Sequence, residues 1–467
     1  MTALNELSAT ALRQGYLRRK FSPVEVLEAV AARAEQTRPH NAFVTFLLDA
    51  AMEKARLAES LYLRGEGDSR PLLGVPIAVK DNYDMEQIRT SYGSSLFADH
   101  FPRESAECVR RVEAAGAIVV GKTSLHEFAW GITGENPHFG PCRNPWDFAR
   151  IAGGSSSGSA AAVALMVTPI ALGSDTAGSI RIPASLCGIL GMKPSYDRLP
   201  RSGLFPLAPT LDHVGLMARE PGDLAVLLKV TDDVPRACAG TDLDEGVDPG
   251  RGGALHGVRV GVLPTSSYEQ LDGDLEDVVR ATCDVLTSLG AEVAELDPGI
   301  FVHTLGTFAP IQQAEAYFVH HARDLFPARG SEYGGDVRAR LELAKSVTLA
   351  DYLAGTTARD ALRARMGAVF ETVDFLLTPL GAARTPTLAS LLDGDVSAAF
   401  RKLMLTHTVP QSLAGIPACA VRGGFDRDGL PVGIQFSAPR GADERLLLVV
   451  DAFYRSTPAV QEKWPTL

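Results

Sequence analysis

Residues 153–175 read GGSSSGSAAAVALMVTPIALGSD, a glycine–serine loop that continues into a helix-forming stretch and then into a short apolar run. Short apolar runs bounded by turn residues predict buried strands, and the same pattern occurs upstream in GVPIAVK (74–80) and GAIVVGK (116–122). Between these two, ECVRRVEAAG (107–116) has the pattern of a helix. Buried strands that alternate with helices form a sheet covered on both faces. The sequence therefore predicts an α/β fold, a single large domain with a central mixed β-sheet and helices on both sides.

The rest of the chain extends this core in both directions, within what we expect to be one domain. On the N-terminal side, Ser22 and Glu25 predict a capping box with Pro23 at the first helical position. The loose stretch 237–257 predicts a surface connection. The expected parts are an N-terminal helical segment (1–65), a core segment (66–235), a variable segment (236–400), and closing strands with a C-terminal helix (401–467).

Composition and charge exclude several classes of protein. The net charge of −11 argues against binding of nucleic acid or an anionic membrane, because phosphate neutralisation needs an excess of Lys and Arg. No stretch approaches the ~18 uninterrupted apolar residues of a membrane span, and the N-terminus lacks the apolar centre of a signal peptide. The six cysteines are scattered without a CxxC pair, which predicts reduced thiols and no zinc site. We therefore expect a cytoplasmic protein without metal or cofactor.

Three segments carry residues that could perform chemistry. Lys80 ends an apolar strand, where a lysine either extends its charge to solvent or is desolvated with a lowered pKa. The loop 153–164 is either a flexible turn or an anion-binding nest at a helix N-terminus. In GSDTAGSIRIPASLCG (173–188), small residues flank Ser179, so that main-chain amides could approach a ligand closely. Each segment by itself is a weak signal.

Together, these segments resemble the amidase-signature family. The resemblance covers most of the chain from about Ala42 onward. It includes GVPIAVKDN, GKTSLHEFAWG, GPCRNPWDFARIAGGSSSGSAAAVA, GSDTAGSIRIPASLCGILGMKPSY, GLFPLAPTLDHVGLMAR, FLLTP, SLAGIPA and GLPVGIQ. It implies an amidase-signature fold with a catalytic signature in 66–235 and substrate specificity in 236–400. It also implies a catalytic triad of Lys80, Ser155 in a cis peptide, and the nucleophile Ser179.

The chemistry of amide hydrolysis agrees with these three residues. An amide is a poor electrophile, so the attacking hydroxyl must lose its proton as it bonds to carbon. A neutral lysine can accept that proton if burial lowers its pKa. We predict that Lys80 takes a proton from Ser155, which takes one from Ser179, and that the relay then protonates the departing amine. Water would release the acyl group.

Further residues are expected to bind the substrate or shape its pocket. The main-chain amides of residues 176–179 are expected to form an oxyanion hole. Ser157 and Ala177 stand where many family members have glycine, which predicts an altered pocket with the chemistry retained. Asp175 and Arg181 are expected to anchor the nucleophile loop. Ser156 either contacts substrate or hydrogen-bonds within its loop. The predicted oxyanion- and substrate-binding residues are Thr176, Ala177, Gly178, Ser156 and Gly131.

Other motifs in the sequence are set aside. Residues 116–123 match the P-loop pattern GxxxxGK[ST], but their apolar centre predicts a strand. His126-Glu127 lacks the second histidine of a zinc protease motif. Cys187 lies in an apolar run and is expected to be a buried structural thiol. His138, His213 and His407 either line the pocket or are structural, with the structural role favoured.

The resemblance fixes the reaction more closely than the substrate. We predict an amidase that acts on the non-peptide C–N bond of a linear, small-molecule amide, with neither a nucleic acid nor a membrane as partner. Dimers are common in this family, so a homodimer is an allowed state. The mix of aromatic residues in the variable segment predicts either an apolar acyl pocket or plain core: Phe308, Tyr317, Phe318, Tyr333 and Tyr352.

Three alternatives stay open. One is the glutaminase (A) subunit of a tRNA-dependent amidotransferase, which feeds ammonia to an ATP-using partner. That subunit usually has RQPAS after the nucleophile, where this chain has Ile182 as the second residue, and an acidic residue near the position of Leu405. Both differences favour a stand-alone hydrolase. A biuret- or allophanate-type hydrolase is the second alternative, because HEFA and ENPHFGP resemble that branch. A non-enzymatic scaffold is disfavoured by the retained triad.

Overall fold

The computed structural model describes residues 3–232, 254–264, 272–301, 303–380 and 384–466. The strands in these residues are β1 Phe43–Phe46, β2 Pro76–Lys80, β3 Ile118–Thr123, β4 Ile170–Asp175, β5 Leu190–Lys193, β6 His213–Ala218, β7 Arg259–Val262, β8 Glu292–Glu295, β9 Phe375–Leu380, β10 Ala418–Phe425 and β11 Pro431–Ser437. The helices are α1 Ala9–Leu17, α2 Pro23–Gln36, α3 Leu48–Leu63, α4 Glu107–Ala114, α5 Ser157–Ala164, α6 Arg181–Cys187, α7 Pro221–Thr231, α8 Gly273–Ser288, α9 Thr304–His321, α10 Gly335–Ala344, α11 Leu349–Thr372, α12 Gly394–Ala414, α13 Asp443–Ser456 and α14 Pro458–Gln461.

The described strands form one mixed sheet in the order β1-β3-β2-β4-β6-β5-β10-β11-β9-β7-β8. At its centre, β2 pairs in parallel with β3 and with β4. Strand β4 pairs antiparallel with β6 on its other side. All residues of β2, β3 and β4 are buried, as expected for strands covered on both faces. The predicted mixed sheet is confirmed.

Helices pack on both faces of this sheet. Successive side chains of a strand point to opposite faces. In β2, Ile77 and Val79 belong to one apolar cluster, together with Leu227 of α7. The intervening Ala78 belongs to a second cluster, together with Ala161 of α5. The predicted coverage of both faces is therefore confirmed.

The elements outside the core mostly lie where the sequence predicts them. Ser22 Oγ accepts from the Glu25 amide at 3.2 Å and Glu25 Oε2 accepts from the Ser22 amide at 2.8 Å, so the predicted capping box begins α2. Residues 116–123, which match a P-loop, contain strand β3, as predicted. Most of 237–257, with Cys238, lies outside the described residues. Among the described helices, none has the length and apolar character needed to cross a membrane.

The sheet also brings the candidate catalytic segments together. Strands β2 and β4 are parallel neighbours, so their carboxyl ends lie at the same edge of the sheet. Lys80 ends β2, and Asp175 ends β4 directly before the Ser179 segment. The loop 153–156 leads into α5, which packs against both strands. Three segments that are far apart in sequence therefore meet at one edge.

Candidate active site

Lys80 is completely buried at the end of β2. Its Nζ donates to Ser155 Oγ at 2.8 Å and to Ser174 Oγ at 2.9 Å. Burial lowers the pKa of Lys80 to about 7, although the negative charges of Asp175 and Asp212 oppose that shift. Of the two interpretations of this lysine, the desolvated group with a lowered pKa agrees with the structure, and a solvent-exposed ammonium does not.

Ser155 lies in the loop before α5, and its peptide bond with Gly154 is cis. The next residue, Ser156, donates its amide to Ser179 O at 3.2 Å, which joins this loop to residues 176–180, called the nucleophile segment because it carries the predicted nucleophile. Ser156 Oγ donates to Ser174 O at 3.1 Å and accepts from the Ser174 amide at 3.3 Å. Ser156 therefore hydrogen-bonds within the loops, and its side chain does not line the cavity described below.

Asp175 and Arg181 fix the nucleophile segment as a buried ion pair. Arg181 Nε and Nη2 donate to the two carboxylate oxygens of Asp175, each at 3.0 Å. The same carboxylate accepts from the amides of Gly178 at 2.7 Å and Ile180 at 3.1 Å. Burial alone would raise the pKa of Asp175, but Arg181 holds it well below its usual range. The predicted anchoring role of both residues agrees with this geometry.

This network changes the predicted oxyanion hole. The Gly178 amide donates to Asp175, so it is not free to bind an oxyanion in this conformation. Within the described chain, the amides of Thr176, Ala177 and Ser179 form no hydrogen bond. Thr176 is held through its side chain, whose Oγ1 donates to Asp212 Oδ1 at 2.6 Å. The amides of Thr176, Ala177 and Ser179 are therefore available as oxyanion donors, whereas that of Gly178 is not.

Ser179 lines a cavity with about 290 Å³ of empty space, open solvent included. Of the residues predicted for the site, Gly131, Thr176, Ala177 and Ser179 line this cavity, whereas Ser155 is completely buried beneath it. In the described structure no hydrogen bond joins Ser155 Oγ to Ser179 Oγ. Catalytic hydrogen bonds often tighten only when substrate is bound. Lining residues are Ala129, Trp130, Gly131, Ile132, Thr176, Ala177, Ser179, Leu207, Phe308, Gln312, Arg340, Arg401 and Leu405.

Sequence reasoning missed the two cationic residues of this cavity. Arg340 belongs to α10 and Arg401 to α12, both in stretches where no motif marks a function. Leu405, near whose position the amidotransferase subunit has an acidic residue, lines the cavity. Of the aromatic candidates, Phe308 lines it, whereas Phe318 is 66% exposed elsewhere.

The remaining aromatic residues contribute to packing. Tyr333 belongs to an apolar cluster against which Tyr317 packs, and Tyr352 donates to Glu315 Oε1 at 3.1 Å. Ser157, expected to alter the pocket, is buried at the start of α5 and does not line the cavity. Ala177 does line it, in agreement with an altered pocket shape.

The three histidines considered for the pocket have structural environments. His138 Nε2 lies 2.7 Å from Glu127 Oε1, and His407 Nδ1 lies 3.1 Å from Pro379 O. His213 Nδ1 lies 2.6 Å from Leu211 O, and burial holds its pKa well below the usual range. None of these three lines the cavity. In the part of the chain that is described, no group of three His, Cys, Asp or Glu side chains could hold a metal ion.

Comparison with known proteins extends over almost the whole chain. The amidase family model matches residues 25–447. The A subunit of the glutamyl-tRNA(Gln) amidotransferase from Roseiflexus sp. (strain RS-1) is 35% identical over 486 residues, with 98% of each chain covered. The crystal structure of an amidase superposes with a TM-score of 0.85 at 30% identity, over 96% of this chain and 99% of that one.

A second solved structure adds a different relative. It is a vestigial protein complex that concerns an s-triazine catabolic enzyme, and it is similar to this chain with a TM-score of 0.85 and 30% identity. The superposition covers 97% of this chain and 98% of the other.

Proposed function

The chain belongs to the amidase family, and we propose that it hydrolyses a carboxylic amide to the acid and ammonia or an amine, through an acyl-enzyme on Ser179. The observation that carries this proposal is the contact of a buried lysine, with a pKa of about 7, at 2.8 Å from Ser155 Oγ. A lysine with that pKa is substantially neutral at physiological pH and can accept a proton. The amidase-signature fold supports the same reaction.

The proposed mechanism uses the residues at the sheet edge. Neutral Lys80 accepts the proton of Ser155, which accepts the proton of Ser179 as its Oγ bonds to the amide carbon. Main-chain amides among those of Thr176, Ala177 and Ser179 donate to the negative oxygen of the tetrahedral intermediate. The proton then moves back along the relay to the nitrogen as the C–N bond breaks. Water attacks the acyl-enzyme through the same relay and releases the acid.

Two kinds of amidase are candidates for this chain, and a different observation supports each of them. The sequence by itself favours a stand-alone hydrolase. The relatives favour the glutaminase subunit of a tRNA-dependent amidotransferase, because the relative described above, 35% identical over 98% of both chains, is named as the A subunit of such an enzyme. Such a subunit would hydrolyse glutamine within a complex and pass ammonia to a partner. The cavity favours a stand-alone hydrolase instead, since Leu405 and two arginines line it and no acidic side chain among the described residues does.

Ammonia release by the purified chain alone tests this function. The amides would be glutamine, asparagine, biuret, short aliphatic amides and benzamide, and the blank would be Ser179→Ala. We expect turnover that disappears in the variant. Turnover that survives in Ser179→Ala would contradict the proposed nucleophile. If no amide releases ammonia until a partner protein is added, the result would favour the glutaminase subunit of an amidotransferase.

A further inference from the structure

Two arginines from separate elements face the cavity that holds the nucleophile. Arg340 comes from α10 and Arg401 from α12. Both are partly buried. Neither is used by the relay or by the oxyanion donors, so their presence beside Ser179 calls for another role.

Arg340 is held in place by its neighbours. Its Nη2 donates to Asp336 Oδ2 at 2.7 Å, one helical turn earlier, and its Nη1 donates to the carbonyl of Trp130. Asp336 is shared with His126, whose Nε2 lies 3.0 Å from the same oxygen. Burial by itself would raise the pKa of Asp336, but the bond with His126 and the charge of Arg340 hold it at about 2. The carboxylate therefore stays ionised and fixes the guanidinium.

Arg401 has no such partner. In the part of the chain that the structure describes, no carboxylate, carbonyl or hydroxyl forms a hydrogen bond or ion pair with its guanidinium. Burial and, to a smaller extent, the positive charge of Arg340 lower the pKa of Arg401 to about 10, although the negative charge of Asp336 opposes the shift. Arg401 remains charged at physiological pH. Arg340 is thus paired with Asp336, whereas Arg401 has no ion-pair partner among the described residues, so one positive charge of the cavity lining is uncompensated.

An uncompensated charge in a partly desolvated cavity is costly unless a ligand neutralises it. Arginine is the residue that best matches a carboxylate, because its planar donors form paired hydrogen bonds with both oxygens. The described lining holds no Asp or Glu that would pair with an ammonium group.

We propose that Arg340 and Arg401 bind a carboxylate of the substrate, and that the substrate is an amide that carries a carboxylate and no ammonium group. Monoamides of short dicarboxylic acids have this chemistry. The inference rests on the amide hydrolysis proposed above and specifies its substrate class. Arg401 is its specificity-determining residue, and glutamine is disfavoured because its α-ammonium would lie in a cationic cavity.

Matched amides test this class. The monoamides of malonic, succinic and glutaric acid would each be compared with the neutral amide of equal length: propionamide, butyramide and pentanamide. Asparagine and glutamine serve as the ammonium-bearing counterparts of the succinic and glutaric monoamides. We expect at least one monoamide to exceed both its neutral and its ammonium-bearing counterpart in kcat/KM by about tenfold or more. Preference for a neutral amide, asparagine or glutamine would overturn the proposal.

Variants then assign the preference to Arg401. Arg401→Gln should reduce the ratio of kcat/KM for the best monoamide over its neutral counterpart by roughly 10- to 100-fold, the range of a lost charge-assisted hydrogen bond. Arg401→Lys should retain part of it. Arg338→Gln removes the same charge from an exposed position of α10 and should leave the ratio unchanged. An unchanged ratio in Arg401→Gln would remove Arg401 from the inference.

Binding separates this inference from the proposed function. Calorimetry on Ser179→Ala measures the affinity for the same monoamides without turnover. Suppose that Ser179→Ala binds a monoamide, that Ser179→Ala/Arg401→Gln does not, and that the wild-type chain hydrolyses none of the amides. This result would support the carboxylate site and contradict the hydrolase. Absence of binding to Ser179→Ala would overturn the carboxylate site even if other amides are hydrolysed.

Discussion

At the scale of single residues, two buried lysines have the same pKa and different neighbours. Burial lowers the pKa of Lys80 and of Lys193 to about 7. Lys193 Nζ donates to the carbonyls of Pro194 at 3.1 Å and Ile416 at 2.6 Å and does not line the cavity. Only contact with a hydroxyl that can give up its proton turns a lysine with this pKa into a base.

Lys80→Met should therefore abolish turnover almost as fully as Ser179→Ala, by about 10³-fold or more, because groups that act as one relay are not additive. Lys193→Met is the matched control. It removes a buried lysine of equal pKa and should lower stability without a comparable loss in kcat of the folded enzyme. Ammonia release per folded molecule measures both. Substantial turnover in Lys80→Met would contradict the relay.

The pH dependence follows from the same group. Protonated Lys80 cannot accept a proton, so kcat/KM should fall about tenfold per pH unit below a pKa of about 7 and level off above it. The charged groups that act on this lysine are Asp175 and Asp212, and burial raises the pKa of Asp212 to about 6. A profile for a neutral amide between pH 5 and 9 measures the inflection. A flat profile across pH 6 to 8 would contradict a neutral lysine as the base.

At the scale of elements, the start of α6 depends on the ion pair beneath it. Arg181 also donates to Thr408 O at 2.9 Å and Gln435 Oε1 at 2.7 Å, so it ties the nucleophile segment to α12 and β11. A buried ion pair that loses one partner leaves an uncompensated charge. The position of Ser179 is therefore set by contacts that do not touch the substrate.

Arg181→Met should lower the free energy of unfolding by about 3–5 kcal/mol, since it leaves Asp175 buried and unpaired. Urea denaturation measures the change. Arg280→Met, which breaks an exposed pair with Asp277 on α8, should cost less than about 1 kcal/mol. Equal effects of the two variants would show that the buried pair does not anchor the segment.

Helix α5 approaches the sheet through a residue without a side chain. A Cβ on Gly158 would lie 2.2 Å from Ala42 O and 2.5 Å from the Ser124 amide nitrogen. Both atoms belong to the main chain and cannot move aside cheaply. The close approach of α5 to Ala42, directly before β1, and to Ser124, directly after β3, therefore requires glycine here.

Gly158→Ala should lower the free energy of unfolding by roughly 1–3 kcal/mol, through overpacking, and should lower kcat by displacing the Ser155 loop. Gly222, near the start of α7, has open space around its Cβ position. Gly222→Ala should be neutral or stabilise by up to about 1 kcal/mol. Thermal unfolding and ammonia release measure both variants, and a Gly158→Ala enzyme as stable and active as wild type would contradict the close contact.

At the scale of the whole molecule, the fold could be predicted from local patterns, and the family resemblance indicated two residues that the structure places in contact, Lys80 and Ser155. Uninterrupted apolar strands predict a sheet covered on both faces. Ser155 and Ser179 lie in motifs rich in glycine and serine, and Lys80 ends an apolar strand. The oxyanion donors could be predicted only in part. Nothing in the sequence indicates that Gly178 gives its amide to Asp175, since that depends on the turn of the chain between β4 and α6.

The cationic part of the cavity could not be predicted from the sequence. Arg340 and Arg401 stand among helical residues where most arginines face solvent, and only tertiary packing turns these two toward Ser179. The resemblance also fixed the chemistry better than the substrate. The curated relatives favour the amidotransferase component, which the sequence ranked second on the evidence of Ile182 and Leu405.

The order of the elements along the chain has an evolutionary consequence. Lys80, Ser155 and Ser179 come from one continuous stretch, β2 to α6, whereas the two arginines come from α10 and α12, more than a hundred residues later. With the roles proposed above, bond breaking and recognition of the substrate carboxylate are encoded in separate lengths of gene. Recombination in the later stretch can change the substrate specificity of the enzyme while the catalytic residues are inherited unchanged.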